Sequence, residues 1–347
     1  MMTPKHLPDP RLYPTASVSN RLIHMAGTVL ASASEEAREL EQLALRDAMA
    51  DLLARDEVLL ISVALNMAPS QAAYQVLWQA LRQAVEQVPG RHAEVFAMPL
   101  VLVAGSRQRA TLPDRIADVD GLNGLLRQHG VFAEHSEVFL SGKLLHPDDV
   151  VAISPAQLYR YHRQLADAAR GLPLPLEASA VTVKEEGVFL RYLVGVAIRE
   201  EDHVAPVDYS VRIGAWGTAM MKFLGEALKT EGVTLFPIFR APAPLMQAMV
   251  AGNQARLEVA MQVFVSALLR KLRSEGREPV VTLSAHEGGE LQLSIATADQ
   301  PDVAERFVWP LAPLDHVERI EQDVLALLHE CQVEMVRIEE IVLPARA

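Results

Sequence analysis

Cysteine is nearly absent from this chain: Cys331 is the single one in 347 residues. One thiol cannot make an intrachain disulfide. Together with the opening MMTPKHLPDPRLYP, too polar and too rich in proline for an apolar targeting core, it gives the expectation of a reducing, cytoplasmic setting. Long apolar runs are lacking too. VLLISVALNMAP at 58–69 and FAMPLVLVAG at 96–105 fall well short of a membrane span, so no membrane partner is expected and buried strands are the simpler account of both. Runs of Lys or Arg are missing, and the formal charge is −12, from 44 acidic against 32 basic residues. Nucleic acid and anionic lipid are therefore not expected partners.

Catalytic signatures are the last absence. The chain has no Walker loop, dinucleotide glycine fingerprint, Gly-x-Ser-x-Gly elbow, His-Glu-x-x-His helix or EF-hand loop. This removes the familiar sequence-local mechanisms and leaves constellations assembled from distant residues. No cofactor and no metal are expected. Gly214-x-x-Gly217 lacks a companion Lys and reads as close helix packing.

What is present is half the chain in apolar residues, at a length beyond one ordinary hydrophobic core, so two packed units are the default. Trp78 and Trp216 are each followed at the same offset by a proline in an extended apolar run, Pro99 and Pro237. Aligning the tryptophans also pairs Val85 with Phe223, Met98 with Phe236 and Val101 with Phe239, which hints at internal duplication. The expected fold is α/β or α+β: two similar lobes with mixed sheets flanked by helices. Residues 1–33 form a flexible arm, 34–172 the first lobe and 173–347 the second, with the boundary at the Pro-rich turn 171–176.

Along the chain, SEEARELEQLALRDAMADLLARD at 34–56 carries Leu at helical spacing behind a Ser cap. Residues 57–66 read as a strand, because β-branched residues stand in a short apolar run. A helix from Ser70 repeats Ala73, Leu77, Leu81 and Val85, and the run 95–104 completes a β-α-β unit with a right-handed crossover. Further helices are predicted over 115–129, 155–169, 208–229, 244–274 and 316–330. Strands are predicted over 131–140, 188–198, 233–240 and 333–343, and a hairpin joins 280–285 to 290–296.

Several residues carry chemistry. Glu200, Glu201, Asp202, His203, Asp208 and Tyr209 follow a buried strand, where ligands commonly bind in α/β sheets. Arg240 leaves the Val233 strand toward the same edge if the two strands are parallel. His203 and Asp208 are then the acid–base candidates, and Arg240, with Arg107 and Arg109 of the first half, the anion-binding set. A solvated turn with surface ion pairs is the plainer account of these residues. His286-Glu287 and His146 with Asp148-Asp149 lack the third ligand a metal needs and read as turns. Tyr159 and His162 share a helix face while Tyr161 turns away, so that segment reads as packing with a charged rim.

The function these features point to is a cytosolic noncatalytic α/β protein that binds a protein or small ligand. The alternative is an enzyme or sensor acting on a small anionic metabolite at the cleft between lobes. A third reading is a homo-oligomer, such as a homodimer built through the terminal helix and strand.

Overall fold

The computed structural model describes residues 14–86, 92–105, 110–167, 182–183, 186–199, 205–286, 290–311, 315, 317–333 and 335–339. Four helices open the described chain: α1 (Pro14–Ala31), α2 (Glu35–Ala54), α3 (Val58–Asn66) and α4 (Gln71–Glu86). The expected N-terminal arm is therefore corrected over 14–31, where Leu22, Ala26 and Val29 recur at helical spacing and are buried. Helix α2 starts as the sequence predicts. The Ser34 side chain accepts from the Ala37 N–H, and Glu35 and Glu36 occupy the first turn, where exposed amides favour carboxylates.

Residues 57–66 are corrected from strand to helix. In α3 the buried positions are Ile61 and Ala64, three apart, while Leu59 is 72% exposed, a period that suits a helix and not a pleat. A short apolar run is ambiguous by composition, and here the packing of α1 decides it: the Ser19 hydroxyl donates to the Leu60 carbonyl at 2.9 Å. With 57–66 helical, the predicted β-α-β crossover over 57–104 does not form.

The chain continues through β1 (His92–Gly105), β2 (Ala110–Thr111), α5 (Val119–Gln128), β3 (Glu137–Leu145), α6 (Pro147–Val151), α7 (Pro155–Asp167), β4 (Thr182–Val183) and β5 (Gly187–Arg199). After a 3₁₀ turn at Ile213–Ala215 come α8 (Gly217–Ala227), β6 (Thr234–Phe239), β7 (Ala243–Pro244) and α9 (Leu245–Ser274). Strand β3 begins later than predicted, because residues 131–132 make an isolated bridge from Phe132 to Val207 instead.

The first sheet runs β3-β5-β1-β6, with β7 also on β1, and all of these pairings are antiparallel. Strands β1 and β5 pair from His92↔Arg199 to Ala104↔Gly187, and β6 lies on the other side of β1 with Leu102 opposite Pro237. Strands assigned by sequence to separate lobes are thus neighbours in one sheet, in which β5 and β6, each antiparallel to β1, run parallel to each other. Trp78 lies midway along α4 and Trp216 caps α8, helices that cover opposite faces of this one sheet. The turn 171–176 itself lies outside the described residues.

The sheet separates two cores. Val95, Ala97 and Val101 face α1, α2, α4 and the first half of α9, while Phe96, Met98, Leu100 and Leu102 face α5, α8 and the buried Trp216. Close approach demands glycine at two places. A Cβ at Gly195 would meet the Phe96 ring at 2.5 Å, and one at Gly252 would meet the Tyr192 hydroxyl at 2.7 Å.

Helix α9, 30 residues long, carries the chain from the first sheet to the second. Its buried residues up to Val259 belong to the core on the first sheet, and those from Met261 onward join a third core. That core is closed by β8 (Pro279–His286), β9 (Glu290–Thr297), β10 (Gln300–Pro310), α10 (Val317–Glu330) and β11 (Val336–Ile338). The second sheet runs β10-β9-β8-β11 and is mixed, because β11 joins β8 in parallel. The predicted hairpin is there as β8 and β9, paired from Pro279↔Thr297 to His286↔Glu290, whereas β10 was not foreseen. The molecule is therefore mixed α/β with two helix-flanked sheets. The change of core falls within α9, not near residue 172.

Candidate ligand-binding cleft

Of the sequence-predicted site residues, His203, Arg107 and Arg109 lie outside the described residues. Asp208 is exposed and committed to a local turn. Its carboxylate accepts from the Ser210 N–H at 2.9 Å and the Ser210 hydroxyl at 2.6 Å, and these bonds hold its pKa below the ordinary carboxylate value. Such an acid is a poor proton donor at neutral pH. Arg240 follows β6, its N–H donating to the Pro99 carbonyl at 3.0 Å, and its guanidinium binds Glu258 of α9.

These two residues belong to opposite faces of the first sheet. Val207 and Tyr209, flanking Asp208, pack into the core under α5 and α8; Arg240 reaches α9, which covers the other face. The expected meeting of Asp208 and Arg240 is thereby corrected: each is held by its own partner. Strands β5 and β6 do run parallel on either side of β1, but that does not suffice, because the two residues leave the sheet toward opposite faces.

Arg240 instead lines a cleft of about 390 Å³ with Ala251, Gln254 and Glu258 of α9 and Arg319, Asp323, Ala326 and Leu327 of α10. Helical spacing builds both walls. On α9, residues 251, 254 and 258 recur along one stripe while Ala255 and Val259 are buried beside it; on α10, Ile320, Val324 and Leu328 enter the third core and turn 319, 323 and 327 toward the cleft. The apolar face of α10 is thus buried within the chain, while Ile338 on the edge strand β11 is exposed.

Inside the cleft the Glu258 carboxylate accepts from Arg240 and, at 3.0 Å, from the Gln254 amide. Its pKa is raised, first by burial, with Arg240 pulling it back and Asp323 adding repulsion. Arg319 and Asp323 make no hydrogen bond or ion pair with another described residue. The sequence marked Arg240 and missed the other three charges. The available signal was a polar stripe beside the apolar one on two helices, but nothing local says that these stripes face each other.

A second polar cluster, also missed, sits where α4 ends and β1 begins. Burial raises the Glu86 carboxyl to about 8, with Arg82 opposing and Glu94 reinforcing the shift; burial and the neighbouring Glu94 also push the Tyr209 phenol up. Nearby, the Nε2 of the buried His162 accepts from the Val95 N–H at 3.0 Å, and burial lowers its pKa to about 4. Tyr159 is buried on the same face of α7, as the helical spacing predicts, with the Arg163 guanidinium 3.5 Å from its ring centroid. The expected turn at 146–149 is a helix cap: His146 Nδ1 accepts from the Asp148 N–H, and Asp149 accepts from the His146 N–H. Among the described residues no group of three or more metal-ligating side chains is assembled. No helix among the described residues is long and apolar enough to cross a membrane.

No known protein family, curated protein or solved structure matches this chain.

Proposed function

We propose that this chain is a noncatalytic binding protein that holds a small polar ligand in the cleft between α9 and α10. The observation that supports the reading is the convergence of four charged side chains, from β6's end, α9 and α10, around a concavity of about 390 Å³, within the size range of small-molecule sites. For the enzymatic alternative, Asp208 is not available as a proton-handling group at this cleft, because it belongs to the other face and is held as a turn acceptor. The sensor form of that alternative keeps one argument. The walls belong to elements of both sheets, so an occupant that prefers one arrangement of them biases it.

Thermal unfolding of the full chain with a metabolite panel tests the proposal, since a ligand confined to the native state raises the midpoint. At least one charged compound is expected to stabilise the wild type and to lose that effect in an Arg240→Ala, Arg319→Ala double variant. A panel without stabilising compounds, or stabilisation equal in both proteins, rejects the cleft as the binding site.

A further inference from the structure

Resting on that reading, we propose that the cleft takes a zwitterion of the amino-acid class, with the ligand carboxylate on Arg319 and its ammonium on Asp323. The two side chains stand one turn apart on α10, a spacing that places Cβ atoms about 5–6 Å from each other and ordinarily lets opposite charges close into a pair. Here they do not pair, although both line the cleft. The order, with the cation N-terminal to the acid, is the poorer one for such a pair. The helix thus presents one cationic and one anionic group to the same space, at a separation that a small zwitterion spans.

The rest of the lining narrows the choice. Arg240 and Glu258 already satisfy each other, with Gln254 on the same carboxylate, so they form a neutral polar wall. A ligand carrying a negative charge alone would meet repulsion from Asp323; one carrying a positive charge alone would meet Arg319. Their balance favours a ligand that carries both signs. Leu327 offers a short apolar surface to an aliphatic stem.

Calorimetric titration of the full chain with L-glutamate, L-arginine and L-leucine, against succinate and putrescine, tests this assignment. At least one amino acid is expected to bind, with succinate and putrescine inert. Arg319→Gln and Asp323→Asn each weaken that binding by about tenfold or more, and the exposed neighbour change Glu318→Gln leaves it unaltered. Succinate binding as well as the amino acids, with Asp323→Asn silent, overturns the zwitterion while leaving an anion-binding cleft. Putrescine binding equally, with Arg319→Gln silent, overturns it in favour of a cation. Failure of all three amino acids also overturns it, and the wider thermal panel then decides separately whether the cleft binds anything.

Discussion

Arg240, just past the end of β6, is ion-paired with Glu258 near the middle of α9, which ties the first sheet to the helix that runs on to the second. The guanidinium is 43% exposed and the carboxylate 16%, so solvent screening keeps the pair's worth modest. A double-mutant cycle with Arg240→Ala and Glu258→Gln, read by urea unfolding, is expected to give a coupling of about 1 kcal/mol. Arg240 acts on the charged form of Glu258. The deficit of Arg240→Ala should therefore be small in acid and grow as pH rises and Glu258 ionises. A deficit independent of pH would contradict the pairing.

Gly252 and Tyr192 fix how α9 sits on the first sheet. The Tyr192 hydroxyl donates to the Met249 carbonyl at 3.1 Å, and a Cβ at Gly252 would fall 2.9 Å from the ring's Cε1. Gly252→Ala should destabilise the protein by about 1–3 kcal/mol through overpacking, despite alanine's better helix propensity. Tyr192→Phe removes the nearest atom, so the double variant should lose less than the sum of the two changes. Chemical denaturation of the four proteins checks this, and strict additivity would show that the contact is not felt.

His162 gives an acid-side dependence. Its pKa falls from 6.5 to about 4 on folding because burial disfavours the charged ring, so the unfolded chain binds the proton more tightly between those values. The stability it contributes is present above pH 6.5 and lost as pH falls through 4. At pH 7 His162→Phe should cost about 1–3 kcal/mol, because the Val95 N–H is left without its acceptor. The cost should shrink toward pH 4, as measured by denaturant midpoints.

Glu86 works in the opposite direction. Its pKa rises from 4.5 to about 8, so the folded chain holds the proton that the unfolded chain has released. Its contribution is complete below pH 4.5 and disappears as pH rises through 8. Glu86→Gln, which keeps the neutral shape, should gain on the wild type progressively between pH 4.5 and 8 and hold a constant advantage above. Stability curves that stay parallel across that window would exclude a buried, protonated Glu86.

The helices were largely legible because their apolar stripes are long: Ala73, Leu77, Leu81 and Val85 on α4 are all buried as their spacing requires. The β8–β9 hairpin was legible from alternation on both sides of a glycine pair. Sheet order was not. Which strand lies beside β1 depends on packing between segments far apart in sequence, and the matched Trp–Pro offsets suggested duplication where β1 and β6 are antiparallel neighbours. Strand β10 escaped notice because its apolar residues are few and broken by Pro301, Asp302 and Glu305. Arg240 could be singled out as a charge at a strand's end. Glu258, Arg319 and Asp323 could not, because their meeting requires α10 to fold back along α9.

Amide-resolved NMR during titration with a compound that stabilises the chain is the most direct examination of the binding cleft. Shift changes should concentrate at Arg240, at 251–258 on α9 and at 319–327 on α10. Changes confined to 207–216 on the opposite face, with both helices silent, would contradict the account.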